Sequence, residues 1–386
     1  MKPILSPGRV VGLDIARAAA LVGMMATHIL PAFDLEGVTT SHQIASGRAS
    51  ALFAVLAGVS IALMSGRQVP HRGRTLAATS AGLTVRALLI AVIGLALGEV
   101  DSGIAVILTY YGMLFLLTIP FLRLGAAPLA MLAAGWLVAA PVMSHLVRPH
   151  LPPATYDNPT VGSLADPWQL LTELTFTGYY PAVPWLAYAL AGMAVGRLAL
   201  GSWRTTVALG AVGALGAAAS TLVSATLLDR PGVTRELMTT FEGPGLRESL
   251  ALTLDNGLYG TTPTGSWWWL AVDSPHTATP FDLAHTIGTS LLAIAVGVAV
   301  GRLAPRLLAV AFGAGAMTLT LYSAHVASRA PGLWDGEDVG TFVGQVAVVL
   351  VVGAAYRLAR RRGPLEAFVG ETQAVVRRAA AGRPPR

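Results

Sequence analysis

The sequence predicts an all-α integral membrane protein with about ten transmembrane helices, and three observations lead to this prediction. Of the 386 residues, 54% are apolar and only 12% are charged, whereas soluble domains carry about 25% charged residues. The mean hydropathy is +0.63. Apolar stretches long enough to cross about 30 Å of hydrocarbon recur along the chain. This composition excludes a soluble globular enzyme and a disordered or fibrous chain.

Ten apolar stretches define the predicted helices. The first contains Asp14 and Arg17 and lacks a small-residue cleavage site after it, so we interpret it as an uncleaved span rather than a signal peptide. The stretches lie at residues 10–31, 46–65, 77–98, 103–122, 126–147, 180–200, 204–227, 284–303, 305–327 and 340–358.

The distribution of charge orients these helices. With both termini inside, the inner segments hold 18 of the 26 basic residues and two of the 20 acidic residues. The outer segments hold six arginines and 17 acidic residues. Cytoplasmic segments of membrane proteins carry such an excess of Lys and Arg. We therefore predict cytoplasmic termini and attribute the net charge of +6 to orientation, not to a nucleic-acid partner.

The predicted membrane domain covers 1–358, and a basic cytoplasmic tail follows at 359–386. Two long outer loops, 148–179 and 228–283, are where we expect a substrate entrance, because loops of this length are usually functional or disordered. The run Trp267–Trp269 in the second loop is either an anchor at headgroup level or a platform on which a ligand stacks. The tail is expected to form an amphipathic helix that anionic lipids attract.

Three charged residues, Asp14, Arg17 and Arg86, lie within predicted spans and are assigned to neither side of the membrane, whereas the other arginines inside the span bounds lie near span ends. A charged side chain near the middle of a bilayer is costly unless it is paired or wet, so each suggests a functional site. Asp14 and Arg17 are three positions apart on one helical face and can neutralise each other. Arg86 either pairs with Asp14 or lines a wet cavity.

Arg17 and His28 lie on the same face of the first predicted helix. They are 11 residues apart, which places them about 20° apart in azimuth and about 16.5 Å apart in height. A cation near the inner end and an imidazole near the outer end suit a ligand that reaches across most of the bilayer. The alternative is that Arg17 extends to the inner headgroups and His28 lies at the outer interface.

The remaining candidates are other polar side chains of the predicted spans, and the lack of cysteine excludes two kinds of site. Thr318, Tyr322 and His325 form one stripe on the ninth predicted span, which serves either interhelical hydrogen bonding or acceptor binding. Arg48 begins the second span. The chain has no cysteine, which excludes a disulfide framework and a thiolate metal site. No spacing of His, Asp or Glu matches a known ligand pattern, and we predict no metal.

The opening of the chain resembles the first motif of the transmembrane acyltransferases. The matching residues run from Arg9 to Met24 and continue to His28. That superfamily includes heparan-α-glucosaminide N-acetyltransferase, the bacterial acyltransferase-3 proteins and the YeiB-like proteins. An arginine, ten residues and then a histidine is the acyltransferase-3 signature, and Arg17 and His28 match it. The family usually has glycine after the arginine, whereas this chain has Ala18.

Later segments resemble the YeiB-like group, and they occur in the same order along the chain. Each motif alone is weak, and their order gives them weight. They are Gly47–Phe53, Ala57–Ser60, Gly178–Pro181 followed by Trp185, Met317–Tyr322 and Gly363–Glu366.

The resemblance implies a membrane enzyme of the bacterial plasma membrane. It would transfer an acyl group, acetyl first of all, from cytosolic acetyl-CoA to a hydroxyl or amine of a sugar, glycan or lipid-linked acceptor at the outer face. On this hypothesis the partners are the bilayer, acyl-CoA and the acceptor, and the oligomeric state stays open. Two alternatives are a secondary transporter that uses Asp14 and Arg86, and a non-catalytic membrane scaffold.

The resemblance also suggests roles for the candidate residues. His28 and Asp14 are expected to be catalytic, with His28 as the general base. The donor would be bound by Arg17, Arg86 and Arg48, because guanidinium groups pair with phosphates and stay charged when buried. The acceptor would be bound by His325, Tyr322, Thr318, Tyr180 and Trp185.

Overall fold

The computed structural model describes residues 8–241 and 247–382. Lys2, Glu242, Arg383 and Arg386, which contribute to the predicted charge distribution, lie outside these residues. The described chain is almost entirely helical, apart from one short antiparallel ribbon of β1 (Phe33–Asp34) and β2 (Gly37–Val38). Its α-helices are α1 Val11–Ile29, α2 Thr40–Ala45, α3 Arg48–Met64, α4 Gly73–Gly98, α5 Leu108–Thr118, α6 Ala126–Val147, α7 Pro167–Thr172, α8 Ala182–Gly196, α9 Trp203–Leu228, α10 Val233–Thr240, α11 Arg247–Asn256, α12 Pro280–Gly301, α13 Pro305–Ala311, α14 Thr318–Ser328, α15 Val339–Leu358 and α16 Pro364–Ala380.

Six helices in the described residues are long and apolar enough to cross a membrane. Two shorter apolar helices, Leu108–Phe121 and Ala182–Gly196, accompany them. Helix α1 is not among the six, and its Asp14, Arg17 and His28 lower its apolarity. The protein is therefore an all-helical membrane protein, and the count of ten spans stays a prediction, as does the orientation of the termini. The six are Thr40–Met64, Gly73–Gly98, Ala126–His150, Trp203–Leu228, Pro280–Gly301 and Val339–Leu358.

The ninth predicted span, 305–327, is not one continuous helix. The chain forms α13, a 3-10 turn at Gly313–Ala316, and then α14. The turn is wedged between α1 and α15: a Cβ at Gly315 would lie 1.8 Å from the Asp14 carbonyl oxygen, and one at Gly313 would lie 2.3 Å from that of Gly353. Non-helical backbone within a membrane domain is tolerated where it is buried or lines a cavity.

Side-chain caps start several helices where the chain leaves a loop. Asp338 accepts the backbone N–H of Thr341 at 3.0 Å and begins α15. Thr279 accepts the N–H of Asp282 at 3.1 Å ahead of Pro280, the first residue of α12. Such caps satisfy backbone donors that the first turn of a helix leaves free. The helix boundaries thus follow local sequence signals.

The centre of the bundle is built from helices that approach closely over small residues. On α8, Gly192 and Gly196 are four residues apart and face α3: a Cβ at Gly192 would lie 1.9 Å from the Val55 carbonyl oxygen. On α3, a Cβ at Gly58 would lie 2.2 Å from the Ala189 carbonyl oxygen. Membrane helices associate through such small residues, because lipid offers no hydrophobic force between them.

Replacing Gly192 by leucine is expected to destabilise the bundle severely. The added side chain meets the backbone of α3, which cannot move aside as a flexible side chain would, so the cost is about 3 kcal/mol or more. Thermal unfolding in detergent, followed by tryptophan fluorescence, measures the loss. The matched control is Gly216→Leu on α9, where a Cβ meets nothing within 4 Å. Equal midpoints for the two variants would contradict this account of the α3–α8 contact.

The loop at 228–283 folds into a small layer with its own core. Trp269 is fully buried among Val233, Leu237, Leu250 and Val272. Its indole Nε1 donates to Thr240 Oγ1 at 2.8 Å. The sequence predicted that the tryptophan run is either an anchor at headgroup level or a stacking platform. Trp269, being fully buried, is neither.

The basic tail forms α16, which packs along α4. Near its start, Glu366 accepts the backbone N–H of Thr320 at 3.1 Å and the Thr320 hydroxyl at 2.6 Å. A carboxylate in this place satisfies a free donor in the first turn of α14 and complements the helix dipole. The tail thus directly contacts α14, the second helix of the interrupted ninth span.

Candidate active site

Asp14 on α1 is buried and forms salt bridges with two arginines. Arg9 Nε lies 2.7 Å from Asp14 Oδ2, and Arg17 Nη1 lies 3.1 Å from Asp14 Oδ1. Arg17 Nη2 also donates to Ser60 Oγ on α3 at 2.9 Å. The pairing of Asp14 with Arg17 agrees with the spacing argument, and Arg9 is a partner that this argument missed. Asp14 therefore fixes the position of a guanidinium within the bundle.

Arg17 and Arg86 line a cavity of about 210 Å³, which we name the Arg17 cavity. Its walls are mostly apolar, with Met24, Phe53 and Leu319 among them. Two arginines in a mostly apolar cavity, against one carboxylate there, favour a ligand that joins an anionic group to an apolar part. Thr318, Tyr322 and Glu366 lie in the same walls.

Arg86 lines this cavity and does not bind Asp14, which is occupied by Arg9 and Arg17. Arg86 Nη1 lies 3.5 Å from Gln373 Oε1 on α16, a long contact. Its Nε is buried and has no hydrogen-bond partner in the part of the chain that the structure describes. Of the two alternatives for Arg86, the structure shows the one in which it faces a cavity.

His28 lines a second cavity of about 320 Å³, the His28 cavity. Its walls are more polar and include His42, His276 and Tyr180. Met24 of α1 lines both cavities, so they approach each other along the face of α1 that carries Arg17 and His28. The shared face predicted from helical geometry thus borders two neighbouring cavities.

A histidine pair lies beside the His28 cavity. His28 Nδ1 is 3.1 Å from Nε2 of His325 on α14, and the rings are inclined by only 7°. On its other side, His325 Nδ1 is 2.8 Å from Oε1 of Gln345 on α15. His28 Nε2 has no hydrogen-bond partner among the described residues, so it is the nitrogen left for a ligand.

A larger cavity of about 880 Å³ adjoins the His28 cavity, with which it shares Ile104 and Tyr179. It lies between the α4–α5 connection and the loop at 148–179. Carboxylates dominate the charge of its walls, and none of its lining residues is basic. Polar, acidic walls thus lie next to the cavity that holds His28. The carboxylates are Glu99, Asp101, Asp157, Asp166 and Glu173.

His276, in the wall of the His28 cavity, accepts the backbone N–H of Gly47 on Nε2 at 3.1 Å. Burial lowers the pKa of His276 from 6.5 to about 4. Between pH 6.5 and pH 4 the unfolded chain therefore binds more protons at this residue than the folded protein does. The contribution of neutral His276 to stability is full above pH 6.5 and is lost as the pH falls towards 4.

The thermal midpoint is accordingly expected to fall as the pH is lowered from 6.5 to 4, with a loss of about 3 kcal/mol from this residue. Thermal unfolding in detergent across this range measures the change. His276→Gln is the matched variant, because glutamine can still accept from Gly47 but does not titrate. An equally steep pH dependence in the variant would assign the effect to other groups.

The model of the heparan-alpha-glucosaminide N-acetyltransferase catalytic domain matches residues 9–226, more than half of the chain. The protein belongs to this family. No curated protein matches the chain significantly. The family name and the apolar helices together describe a membrane protein of an acetyltransferase family.

The family match covers α1 to α9 and thus includes Arg17, His28 and Arg86. The second half of the histidine pair, His325, lies beyond it, as does Gln345. The acetyltransferase domain and the segment that follows it therefore meet at His28. The site depends on both parts of the chain.

The structure separates the remaining candidates. Thr318 and Tyr322 line the Arg17 cavity, whereas His325 lines neither cavity and contacts His28. Tyr180 lines the His28 cavity, and Trp185 packs edge-on against it with ring centroids 5.1 Å apart. The residues predicted as one stripe on the ninth span therefore lie in two places. Two of them line the Arg17 cavity, and the third, one turn further along α14, contacts His28.

Arg48 lies away from the Arg17 cavity. Its Nε donates to Nε2 of His285 at 3.0 Å, and its Nη1 donates to the Gln43 carbonyl at 2.5 Å. The structure thus places this candidate for donor binding in a hydrogen-bond network with α12. It does not bring Arg48 together with Arg17 and Arg86.

Sequence reasoning missed Gln345, a single amide in an apolar span. No three His, Asp or Glu side chains in residues 8–241 and 247–382 come together to hold a metal ion. The absence of a resident metal stays a prediction. Gln345 could have been recognised from the sequence, because a polar side chain within a membrane span usually forms a hydrogen bond with a neighbouring helix.

Proposed function

We propose that this protein transfers an acetyl group from acetyl-CoA to a hydroxyl or amine of an acceptor at the outer face of the membrane. One observation carries the proposal: Met24 lines both the Arg17 cavity and the His28 cavity, on the face of α1 that carries Arg17 and His28, a histidine with a free nitrogen. The family to which the chain belongs supports acetyl transfer.

Arg17 and Arg86 suit the donor side of this reaction. Acetyl-CoA carries its phosphates at one end of an extended arm and its thioester at the other. Arg17 and His28 are about 16.5 Å apart along the axis of α1, so the arginines would bind anionic groups while the thioester reaches towards His28. At about 210 Å³, the cavity is smaller than most ligand sites, so it would hold the arm and the anionic group that the arginines bind, and not the whole donor.

His28 acts as the general base in this proposal. Its Nε2 takes the proton of the acceptor hydroxyl or amine as that oxygen or nitrogen attacks the thioester carbonyl. A C–O or C–N bond forms, the C–S bond breaks, and the proton passes from the imidazolium to the leaving thiolate. The products are the acetylated acceptor and CoA with a free thiol. The acceptor would approach through the cavity lined by Tyr179 and the carboxylates.

The test uses the absence of cysteine in this chain. The purified protein in proteoliposomes is supplied with acetyl-CoA and a panel of amino sugars, sugars and lipid-linked glycans, and a thiol reagent measures free CoA without background from the protein. Release of thiol that depends on the acceptor, with an acetylated product in the mass spectrum, supports the proposal. Proteoliposomes that accumulate solute without releasing thiol would contradict it and favour the transporter.

A further inference from the structure

Gln345 on α15 is 3% exposed and contacts neither cavity directly. Its Nε2 donates to the Trp334 carbonyl oxygen at 3.0 Å. A carbonyl oxygen can only accept, so the amide NH₂ must lie on that side and Oε1 must face His325. The backbone of Trp334 thereby fixes which end of the Gln345 amide the histidine meets.

This orientation determines the tautomer of His325. Gln345 Oε1 can only accept, so the His325 Nδ1 that lies 2.8 Å away carries a proton. In a neutral ring the other nitrogen, Nε2, then bears the lone pair. The hydrogen bond between the histidines must therefore run from His28 Nδ1–H to His325 Nε2.

The geometry of the two rings suits such a bond. The bonded nitrogens are 3.1 Å apart and the ring centroids 5.3 Å, so the nitrogens lie between the ring centres. With an inclination of 7°, the imidazoles are nearly coplanar and meet edge to edge. The lone pair of His325 lies in the plane of its ring and points along this direction. His28 is left with a lone pair on Nε2.

We infer that Gln345 is a positioning residue that fixes the tautomers of His325 and His28, so that His28 presents its basic nitrogen, Nε2, as the free one. The inference rests on the proposed acetyltransferase function for its catalytic consequence. Without Gln345, His325 can carry its proton on Nε2, and His28 must then accept on Nδ1. Its Nε2 would carry the proton and could no longer act as a base.

Basic groups surround the histidine pair. The titratable and charged groups that act on His28 are His325, Arg329, His276 and His42, all of them basic. Arg329 Nη1 donates to the carbonyl oxygens of Trp334, at 3.2 Å, and Gly336, at 2.6 Å. A permanent cation beside the pair opposes protonation of either histidine. A glutamine in this position thus orients the pair without adding a charge.

The direct test is ¹⁵N NMR of histidine-labelled protein in nanodiscs, which reports which nitrogen of each ring carries the proton. His28→Asn and His325→Asn assign the two rings among the eight histidines. In the wild type we expect a proton on Nδ1 of both rings. In Gln345→Met, which keeps the length of the side chain, the fraction of rings with the proton on Nε2 should rise. A wild-type His28 that carries its proton on Nε2 would overturn the inference.

A second test follows turnover. Gln345→Met is expected to lower kcat about 10- to 100-fold with little change in KM for acetyl-CoA, as the loss of an outer hydrogen-bond partner does for other functional histidines. Gln345→Glu keeps an acceptor and should recover part of kcat. Its carboxylate raises the proton affinity of the pair, which moves the rise of the pH–rate profile to higher pH. The control is Gln43→Met, an exposed glutamine.

The two measurements separate this inference from the proposed function. If the wild-type protein has the expected tautomers but releases no thiol, the tautomer assignment holds and the proposed acetyltransferase function is wrong. An active wild type whose turnover is unchanged in Gln345→Met would remove the positioning role alone. A loss of kcat in Gln345→Met that Gln345→Glu does not recover at any pH would mark a structural effect and also count against it.

Discussion

His28→Ala is expected to lower acetyl transfer by about 10²- to 10⁴-fold, the contribution of a general base. The imidazole is the only group on the described face of α1 that offers an unpaired nitrogen to the His28 cavity. The loss should appear in kcat, because proton removal occurs in the transition state and not in donor binding. Release of CoA thiol at saturating acetyl-CoA measures it.

The control for His28→Ala is His150→Ala. His150 is exposed in the 3-10 turn Arg148–His150 and lines none of the three cavities. Its replacement should leave the rate unchanged. Because His28 packs against His325, the unfolding midpoint of each variant is measured as well. Equal rates for wild type and His28→Ala, with both proteins folded, would remove His28 as the base.

Arg17→Met is expected to raise KM for acetyl-CoA about 10- to 100-fold and to affect kcat less. Hydrogen bonds to charged groups contribute about 1.5–3 kcal/mol, and each 1.4 kcal/mol corresponds to a factor of ten in affinity. Asp14 keeps its contact with Arg9 at 2.7 Å when Arg17 is removed, so its carboxylate is not left alone. The KM of the donor, measured by thiol release, checks the prediction.

Two further variants make this experiment specific. Arg17→Lys keeps the charge but not the forked geometry, and its KM should lie between those of wild type and Arg17→Met. Arg74→Met removes an exposed arginine from the first turn of α4 and should leave KM unchanged. If Arg74→Met raised KM as much as Arg17→Met does, the effect would be one of overall charge, and Arg17 would have no specific place in donor binding.

Helical geometry alone accounted for part of the site. The 11-residue spacing of Arg17 and His28 predicted a common face, and each residue lines a cavity on α1. The pair of Asp14 and Arg17 followed from their i,i+3 spacing. Such predictions succeed because both residues lie on one element of regular geometry. They need no knowledge of what packs against it.

Contacts between elements were beyond sequence reasoning. His28 and His325 are 297 positions apart, and Gln345 joins them from a third helix. Arg9 joins Asp14 from just before α1. The break at Gly313–Ala316 lies where the backbones of α1 and α15 approach it closely. None of these contacts between elements can be predicted from the hydropathy of the residues that make them.

The sequence by itself determined the membrane class, the positions of most helices and the resemblance to acyltransferases. These follow from hydropathy, spacing and motif order, which are properties of short stretches of chain. Only the tertiary structure decided that Arg86 faces a cavity, that Arg48 does not, and that Gln345 orients the histidine pair. The physical reason is that a buried polar side chain is satisfied by whichever helix packs against it, and packing is settled by the whole bundle.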